Sequence, residues 1–108
     1  MPEITIVHEG DDFYVVNKPS GLAVQGGSGI KRCIVDVLEE QRGSKPFLVH
    51  RLDRDTSGLL LLARDSIAAR RWTGLFAGGG AIRKRYLACC AGILEKSEGS
   101  ISSPIVVH

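Results

Sequence analysis

The sequence predicts an α+β domain, because short β-type runs and amphipathic helical repeats follow one another along its 108 residues. Two β-type runs, residues 4–7 and 13–16, are separated by a Glu-Gly-Asp-Asp turn and predict a hairpin. Two helical repeats and further β-type runs follow it. A chain of this length can form one domain with a modest core, so residues 1–108 are expected to be a single region.

Each predicted helix shows an apolar face and a stop signal. The first ends at Gly43, and its apolar face recurs at helical spacing. The second is capped by Asp65 or Ser66 and ends at the glycines of residues 78–80, with Arg70 and Arg71 facing outward. The two faces are Ile30, Cys33, Ile34, Val37 and Leu38 in the first helix, and Ala68, Trp72, Leu75 and Phe76 in the second.

Three more runs predict strands at residues 47–50, 59–63 and 82–91. The last carries Arg83-Lys84-Arg85-Tyr86 at its start, which interleaves basic and aromatic side chains. Tyr86 is therefore either a core residue of that strand or a surface on which a base could stack. From Ile93 onward the signal weakens, and the sequence closes with the apolar run at residues 103–108.

Composition excludes several classes of protein. The hydrophobic fraction of 44% and charged fraction of 24% are ordinary for a globular domain. No apolar run approaches the roughly 18 residues that a membrane span needs, and the acidic first ten residues do not resemble a secretory signal. We therefore expect a cytoplasmic protein that does not bind membranes. The three cysteines, Cys33, Cys89 and Cys90, show no zinc spacing and are expected to be buried free thiols.

Positive charge is concentrated in the second half of the chain. Residues 41–90 hold ten basic and three acidic residues, a net charge of +7, whereas the whole chain carries +2. Such a segment suits a polyanion such as nucleic acid, because each neutralised phosphate releases counterions. A solvated charged surface explains the same composition equally well.

The most informative segment is His50-Arg51-Leu52-Asp53-Arg54-Asp55-Thr56-Ser57-Gly58-Leu59, which joins two predicted strands. Arginines at 51 and 54 favour the ionised form of Asp53, which could then act as a nucleophile or base. From spacing alone, Asp53 or Asp55 could instead cap the turn, a more common role. The turn hydroxyls of Thr56 and Ser57 are expected to be structural.

The glycine-rich residues 26–29 precede the first helix and could approach a phosphate. They lack the Lys-Ser/Thr ending of a nucleotide-binding loop, so a flexible turn is the alternative and the more common case.

Residues 50–58 resemble the signature of the RluA-type pseudouridine synthases, which isomerise uridine in ribosomal and transfer RNA. Residues 12–22, with the run Asn17-Lys18-Pro19-Ser20-Gly21, are similar to the family's first motif, and residues 24–29 to the segment that follows it in the ribosomal branch. Lys84-Arg85-Tyr86-Leu87-Ala88 resembles the strand that bears the family's tyrosine. The resemblance covers residues 6–104.

This resemblance implies a mixed, mainly antiparallel sheet with flanking helices, a basic cleft for ribosomal or transfer RNA, and no metal or organic cofactor. Asp53 matches the catalytic aspartate, acting by covalent addition or by a glycal route, and Tyr86 matches the tyrosine that packs on the target base. Arg51 matches an arginine that fills the stack left by a flipped base. Further RNA contacts are expected from Lys18, Arg54, Lys84 and Arg85.

The family's later Gly-Arg-x-His-Gln-Ile-Arg stretch, whose basic residue pairs with the catalytic aspartate, is absent from the sequence. The sequence thus predicts an incomplete sheet, truncated at its C-terminal side, with an apolar face and strand edge that favour a homodimer or a partner chain. An inactive RNA-binding fragment is the alternative to an active synthase. A nucleoside hydrolase is less favoured, because apart from Asp55 the motif offers no second acid.

Overall fold

The computed structural model describes residues 3–27, 29 and 32–105. Within them, four strands form one sheet and two helices lie against it. In chain order, the elements are β1 (Thr5–Glu9), β2 (Phe13–Lys18), α1 (Ile34–Arg42), β3 (Phe47–Leu48), β4 (Gly58–Ala63) and α2 (Ser66–Ala77).

The sheet has the order β1-β2-β4-β3, and each neighbouring pair of strands is antiparallel. The predicted hairpin is confirmed as β1 and β2, with a bulge between Ile6 and His8. β4 pairs with β2 along its whole length, from Lys18 opposite Gly58 to Phe13 opposite Ala63. The predicted α+β class, with a mainly antiparallel sheet and flanking helices, is confirmed.

The side chains of β4 alternate between the two faces of the sheet, as expected for a central strand. Leu60 and Leu62 are fully buried in one cluster that includes Ile34 and Leu38 of α1. On the other face, Ala63 joins a smaller cluster, against which Leu61 and side chains of α2 pack. The two helices therefore cover opposite faces of the sheet.

Both helices are followed by a glycine, and α2 is also capped at its start by an aspartate. The side chain of Asp65 accepts a hydrogen bond from Ala68 N (2.8 Å), and α2 ends before Gly78, as predicted. α1 ends at Gly43, whose positive φ of 80° suits glycine. Ile30, expected on the apolar face of α1, lies outside the described residues. Trp72 is only half-buried, and its indole N–H reaches Asp12 at 3.3 Å.

The strand predicted at residues 82–91 is wrong, because those residues form no helix or strand. A strand needs a neighbour for its backbone hydrogen bonds, and no described strand pairs with this segment. We refer to residues 79–105 as the C-terminal segment, in which Leu87 is 98% exposed. Cys89 and Cys90, expected to be buried, are consequently exposed free thiols, whereas Cys33 is buried as predicted.

Within the described part of the chain, no helix is both long and apolar enough to cross a membrane.

Candidate active site

The loop between β3 and β4, residues 49–57, carries the aspartate singled out from the sequence, and we refer to it as the Asp53 loop. Val49 and Leu52 bury their side chains in the clusters on opposite faces of the sheet. Asp53 follows Leu52 directly and exposes its side chain. Its carbonyl accepts a hydrogen bond from Thr56 N (3.0 Å), which closes a turn. The loop thus presents a carboxylate from a backbone fixed by buried neighbours.

Lys18, at the end of β2, is hydrogen-bonded to the backbone of the Asp53 loop. Its side chain has no exposed surface, and Nζ donates to the carbonyls of Pro19 (2.9 Å), Leu22 (2.7 Å) and Arg54 (2.8 Å). All three ammonium hydrogens can be satisfied in this way. The expected RNA contact of Lys18 does not fit this position, because a buried ammonium occupied by three carbonyls cannot reach a phosphate.

Burial and nearby charges shift the pKa of Lys18 in opposite directions. Burial lowers the pKa of Lys18, and the nearby carboxylates of Asp55 and Asp53 oppose that shift. The three carbonyl acceptors around Nζ suit the protonated ammonium, which places a positive charge near the backbone of the Asp53 loop.

The turn that follows β2 adds two more hydrogen bonds to the same part of the loop. Gly21 N donates to the Arg54 carbonyl (2.8 Å), and Ser20 Oγ donates to the Asp55 carbonyl (2.7 Å). Gly21 has a φ of 91°, a backbone conformation that residues with a side chain rarely adopt. Together with Lys18, this turn fixes the backbone immediately after Asp53.

His50 holds the loop before Asp53. Its Nε2 accepts a hydrogen bond from Leu61 N in β4 (2.9 Å), and its ring stacks on Phe76 of α2, with centroids 4.2 Å apart and planes 9° apart. Burial and then the positive charge of Lys84 lower the pKa of His50. An Nε2 that accepts a hydrogen bond belongs to a neutral ring, and the lowered pKa favours the same form.

A cleft of about 760 Å³ lies over the face of the sheet formed by Val15, Leu59 and Leu61, next to Phe76 of α2. One wall comes from the Asp53 loop and includes Leu52 and Asp55, on either side of Asp53 in the chain. The other comes from residues 82–87 and includes Tyr86, which is 58% exposed. The cleft brings together aromatic, acidic and basic groups, among them His50, Asp55, Phe76, Lys84, Arg85 and Tyr86.

The two arginines that were expected to favour the ionised form of Asp53 lie on the surface of the loop. Arg51 and Arg54 are exposed, and within the described residues neither forms an ion pair with Asp53. Arg54 Nε instead lies 3.8 Å from Asp55 Oδ1. Both guanidinium groups are therefore exposed to solvent, that of Arg54 beside the Asp55 carboxylate.

Groups that could hold a metal are not assembled in the described part of the chain: it contains no cluster of three or more His, Cys, Asp or Glu side chains. The glycine-rich residues 26–29 include Ser28, which lies outside the described residues, so a phosphate contact there stays a prediction.

Sequence reasoning missed the roles of Lys18 and His50. For Lys18 a signal existed: Tyr14, Val16 and Lys18 share one face of β2 by alternation, and both earlier residues are buried. For His50 there was none, because its hydrogen-bond partner and its stacking partner lie 11 and 26 residues further along the chain.

Fold and site define a class of protein, an α+β chain that presents a loop aspartate next to a basic and aromatic cleft. A family model described as RNA pseudouridylate synthase matches residues 12–108. The chain therefore belongs to the RNA pseudouridylate synthase family, which confirms the resemblance seen in the sequence motifs.

Individual relatives agree with this assignment. The chain is 41% identical over 103 residues to the ribosomal large subunit pseudouridine synthase C of Escherichia coli (strain K12), covering 94% of this chain and 32% of that protein. It is 39% identical over 117 residues to RNA pseudouridine synthase 4, mitochondrial, of Arabidopsis thaliana, covering 93% and 24%. The chain thus spans about a quarter to a third of the length of these curated relatives.

A solved structure named Human RNA Pseudouridylate Synthase Domain Containing 4 shares the fold. The TM-score is 0.56 at 37% sequence identity, over 67% of this chain and 29% of that chain. Sequence motifs, family model and fold therefore agree.

Proposed function

We propose that this chain belongs to the catalytic region of an RNA pseudouridine synthase, which isomerises uridine in structured RNA with Asp53 as its catalytic residue. The observation that carries the proposal is the Asp53 loop itself: an exposed carboxylate lies between backbone positions that β2 and β4 hold in place. Catalysis benefits from such fixed geometry, because a small displacement of the reacting group costs much of the rate.

The reaction breaks the bond between C1′ of the ribose and N1 of uracil and forms a bond between C1′ and C5. The proton on C5 is lost and N1 ends with a proton, so the product is an isomer of the substrate. Asp53 acts in the ionised state, either by adding to the sugar or base or by promoting a glycal route. Tyr86, in the cleft wall, packs on the target base and assists removal of the C5 proton.

RNA contacts are assigned to exposed cations on both sides of the site. Arg51 fills the stack that the flipped uridine leaves, since a guanidinium plane can partly replace lost stacking. Arg54 and the cleft residues Lys84 and Arg85 bind phosphates. Lys18 has no such role, because its side chain is buried.

Finer assignments follow from the relatives and from exposed surface. We propose ribosomal RNA over transfer RNA, because the bacterial relatives are named for the ribosomal large subunit. By the same comparison we propose the cytoplasm as the compartment. A homodimer or a partner chain is proposed to cover apolar side chains of the C-terminal segment, such as Leu87 and Ile93.

The test uses uridine-containing ribosomal RNA, with pseudouridine detected by carbodiimide-dependent stops of reverse transcription. Asp53→Asn is expected to abolish product, because an amide can neither attack nor accept a proton. Asp11→Asn, the same change at an exposed aspartate in the turn between β1 and β2 and outside the cleft lining, is the control and is expected to retain product. Undiminished product in Asp53→Asn rules out Asp53 as the catalytic residue.

A second candidate is an RNA-binding chain without activity, favoured by the exposed basic run Arg83-Lys84-Arg85. It predicts salt-sensitive RNA binding without isomerisation. The double change Lys84→Gln and Arg85→Gln is expected to reduce the log-log salt slope by about 0.7–0.9 per lost phosphate contact. Lys45→Gln, which removes an exposed lysine away from the cleft, is the control. RNA binding whose affinity does not fall as the salt concentration rises would contradict both candidates.

A further inference from the structure

The outer edge of β4 is only partly paired with a strand. β3 pairs with Ala63 and Leu62, and no described strand pairs on this side with the earlier residues of β4. The N–H of Leu61 on this edge donates to His50 Nε2 at 2.9 Å. A side-chain nitrogen thus occupies the place that a carbonyl of a neighbouring strand would take.

The geometry of His50 suits an acceptor and not a cation. An imidazole accepts a hydrogen bond only when it is neutral, and an accepting Nε2 requires its proton on Nδ1. The ring is half-buried and stacks in parallel on Phe76 of α2. Two elements, β4 and α2, therefore fix the ring's position and orientation.

Asp53 lies between two independent anchors. Three residues before it, His50 binds the loop to β4, and directly after it the Arg54 carbonyl accepts hydrogen bonds from Lys18 and Gly21. The hydrogen bonds to the Arg54 carbonyl alone would hold the loop only on the C-terminal side of Asp53. Without the first, the segment from Val49 to Asp53 keeps its buried side chains but loses its hydrogen bond to the sheet.

We propose that His50 is a positioning residue, whose neutral imidazole anchors the Asp53 loop to the open edge of β4 and so orients Asp53. The link to catalysis rests on the proposed function, whereas the anchor itself can be measured without RNA.

The anchor is expected to release in acid. The charged groups that share the cleft with His50 are Lys84, Arg83, Arg85 and Asp55, a set with net positive charge that disfavours protonation of the ring. Burial and the charge of Lys84 lower the pKa of His50 in the folded chain below its ordinary value of 6.5. The contribution of the His50–Leu61 hydrogen bond to stability is therefore fully present above pH 6.5. It is lost as the pH falls through the folded pKa, when Nε2 becomes a donor facing another donor.

The anchor can be tested by amide hydrogen exchange, measured by NMR on the full 108-residue chain. His50→Phe keeps an aromatic ring against Phe76 but removes the acceptor. We expect exchange at the amides of Leu61 and Thr56 to rise by about tenfold or more, the order that one lost hydrogen bond allows. His50→Gln keeps a neutral acceptor and is expected to stay within about threefold of the wild type. His8→Phe, which changes an exposed histidine of β1, is the control.

The proposal would be overturned if the Leu61 amide exchanged at the wild-type rate in His50→Phe. It would also be overturned if that amide exchanged as fast in His50→Gln as in His50→Phe. A pH series on the wild type gives a second measurement if His50→Phe does not fold. Leu61 protection, corrected for intrinsic exchange, should fall together with protonation of His50. Constant protection while His50 gains its proton contradicts the anchor.

Turnover distinguishes positioning from general stability. His50→Phe is expected to lower kcat with little change in KM, and His50→Gln to restore kcat and flatten the acid limb of the pH profile. A wild-type chain that makes no pseudouridine but shows the expected exchange pattern supports the anchor and overturns the proposed function.

Discussion

Residues 3–77 and the C-terminal segment contain similar apolar residues but differ in how these are used. Leu60 in β4 is fully buried between β2 and α1, whereas Leu94 in the C-terminal segment is 79% exposed. Every strand of the first region has a hydrogen-bonded neighbour, and the second region has no described strand. The difference shows that β propensity becomes structure only where a neighbouring strand supplies backbone partners and a helix covers the face.

The sharpest test of this difference replaces one leucine in each region. Leu60→Ala should lower the free energy of unfolding by about 2–5 kcal/mol, because it leaves a cavity in the larger cluster. Leu94→Ala should change it by less than about 0.5 kcal/mol. Urea unfolding followed through Trp72, the single tryptophan, measures both. Comparable losses in the two variants would mean that Leu94 is buried in solution.

Lysines allow the same comparison for buried polar groups. Lys18→Met removes three hydrogen bonds, so that the carbonyls of Pro19 and Leu22 lose this donor and the Arg54 carbonyl keeps only Gly21 N, which should cost about 2–3 kcal/mol. Lys96→Met, in the exposed C-terminal segment, is the matched control and should be close to neutral. Equal stability of the two variants, compared by urea unfolding, would show that the buried ammonium does not hold the Asp53 loop.

Glycines give a smaller effect that depends on backbone conformation alone. Gly21→Ala places a side chain at φ of 91°, where nothing lies within 4 Å to obstruct it, so the cost is backbone strain of about 1–2 kcal/mol. Gly99→Ala has equal space and no positive φ, and it should be neutral or slightly stabilising. Thermal unfolding of the two variants side by side decides whether the turn at Gly21 is as constrained as its geometry indicates.

Surface charge should matter least. Asp12→Asn weakens the ion pair with Arg71 and the contact with the Trp72 indole, and exposed pairs contribute less than about 1 kcal/mol. The loss should disappear in 1 M salt, which screens exposed charges. Glu95→Gln in the C-terminal segment should have no effect at either salt concentration. A salt-independent loss in Asp12→Asn would point to the indole contact instead of the ion pair.

The local features of the fold could be predicted from the sequence because their signals are local. The hairpin and the limits of α2 at Asp65 and Gly78 depend on residues a few positions apart. The strand predicted at residues 82–91 failed for the opposite reason: its apolar and aromatic residues satisfy local propensity, but a strand also depends on a partner that no local pattern specifies.

The candidate site divides in the same way. Asp53 could be recognised as the candidate catalytic residue because a whole motif surrounds it in the sequence. Lys18 was expected to contact RNA: alternation along β2 indicated its buried side, but nothing local indicated its carbonyl partner at Arg54, which lies 36 residues away. Whether a lysine meets water or a carbonyl is decided by such distant contacts, and composition cannot reveal them.

The two hydrogen bonds that converge on residue 54 end on its carbonyl, not on its side chain. Loop conformation is thereby separated from the identity of the residue at that position, so the exposed guanidinium can vary while the chain path stays the same. Substitutions at residue 54 would therefore change the charge of the loop without moving the backbone that carries Asp53. An Arg54→Cys variant would likewise give a fluorophore attachment point that reports on the loop from a site whose side chain does not shape it.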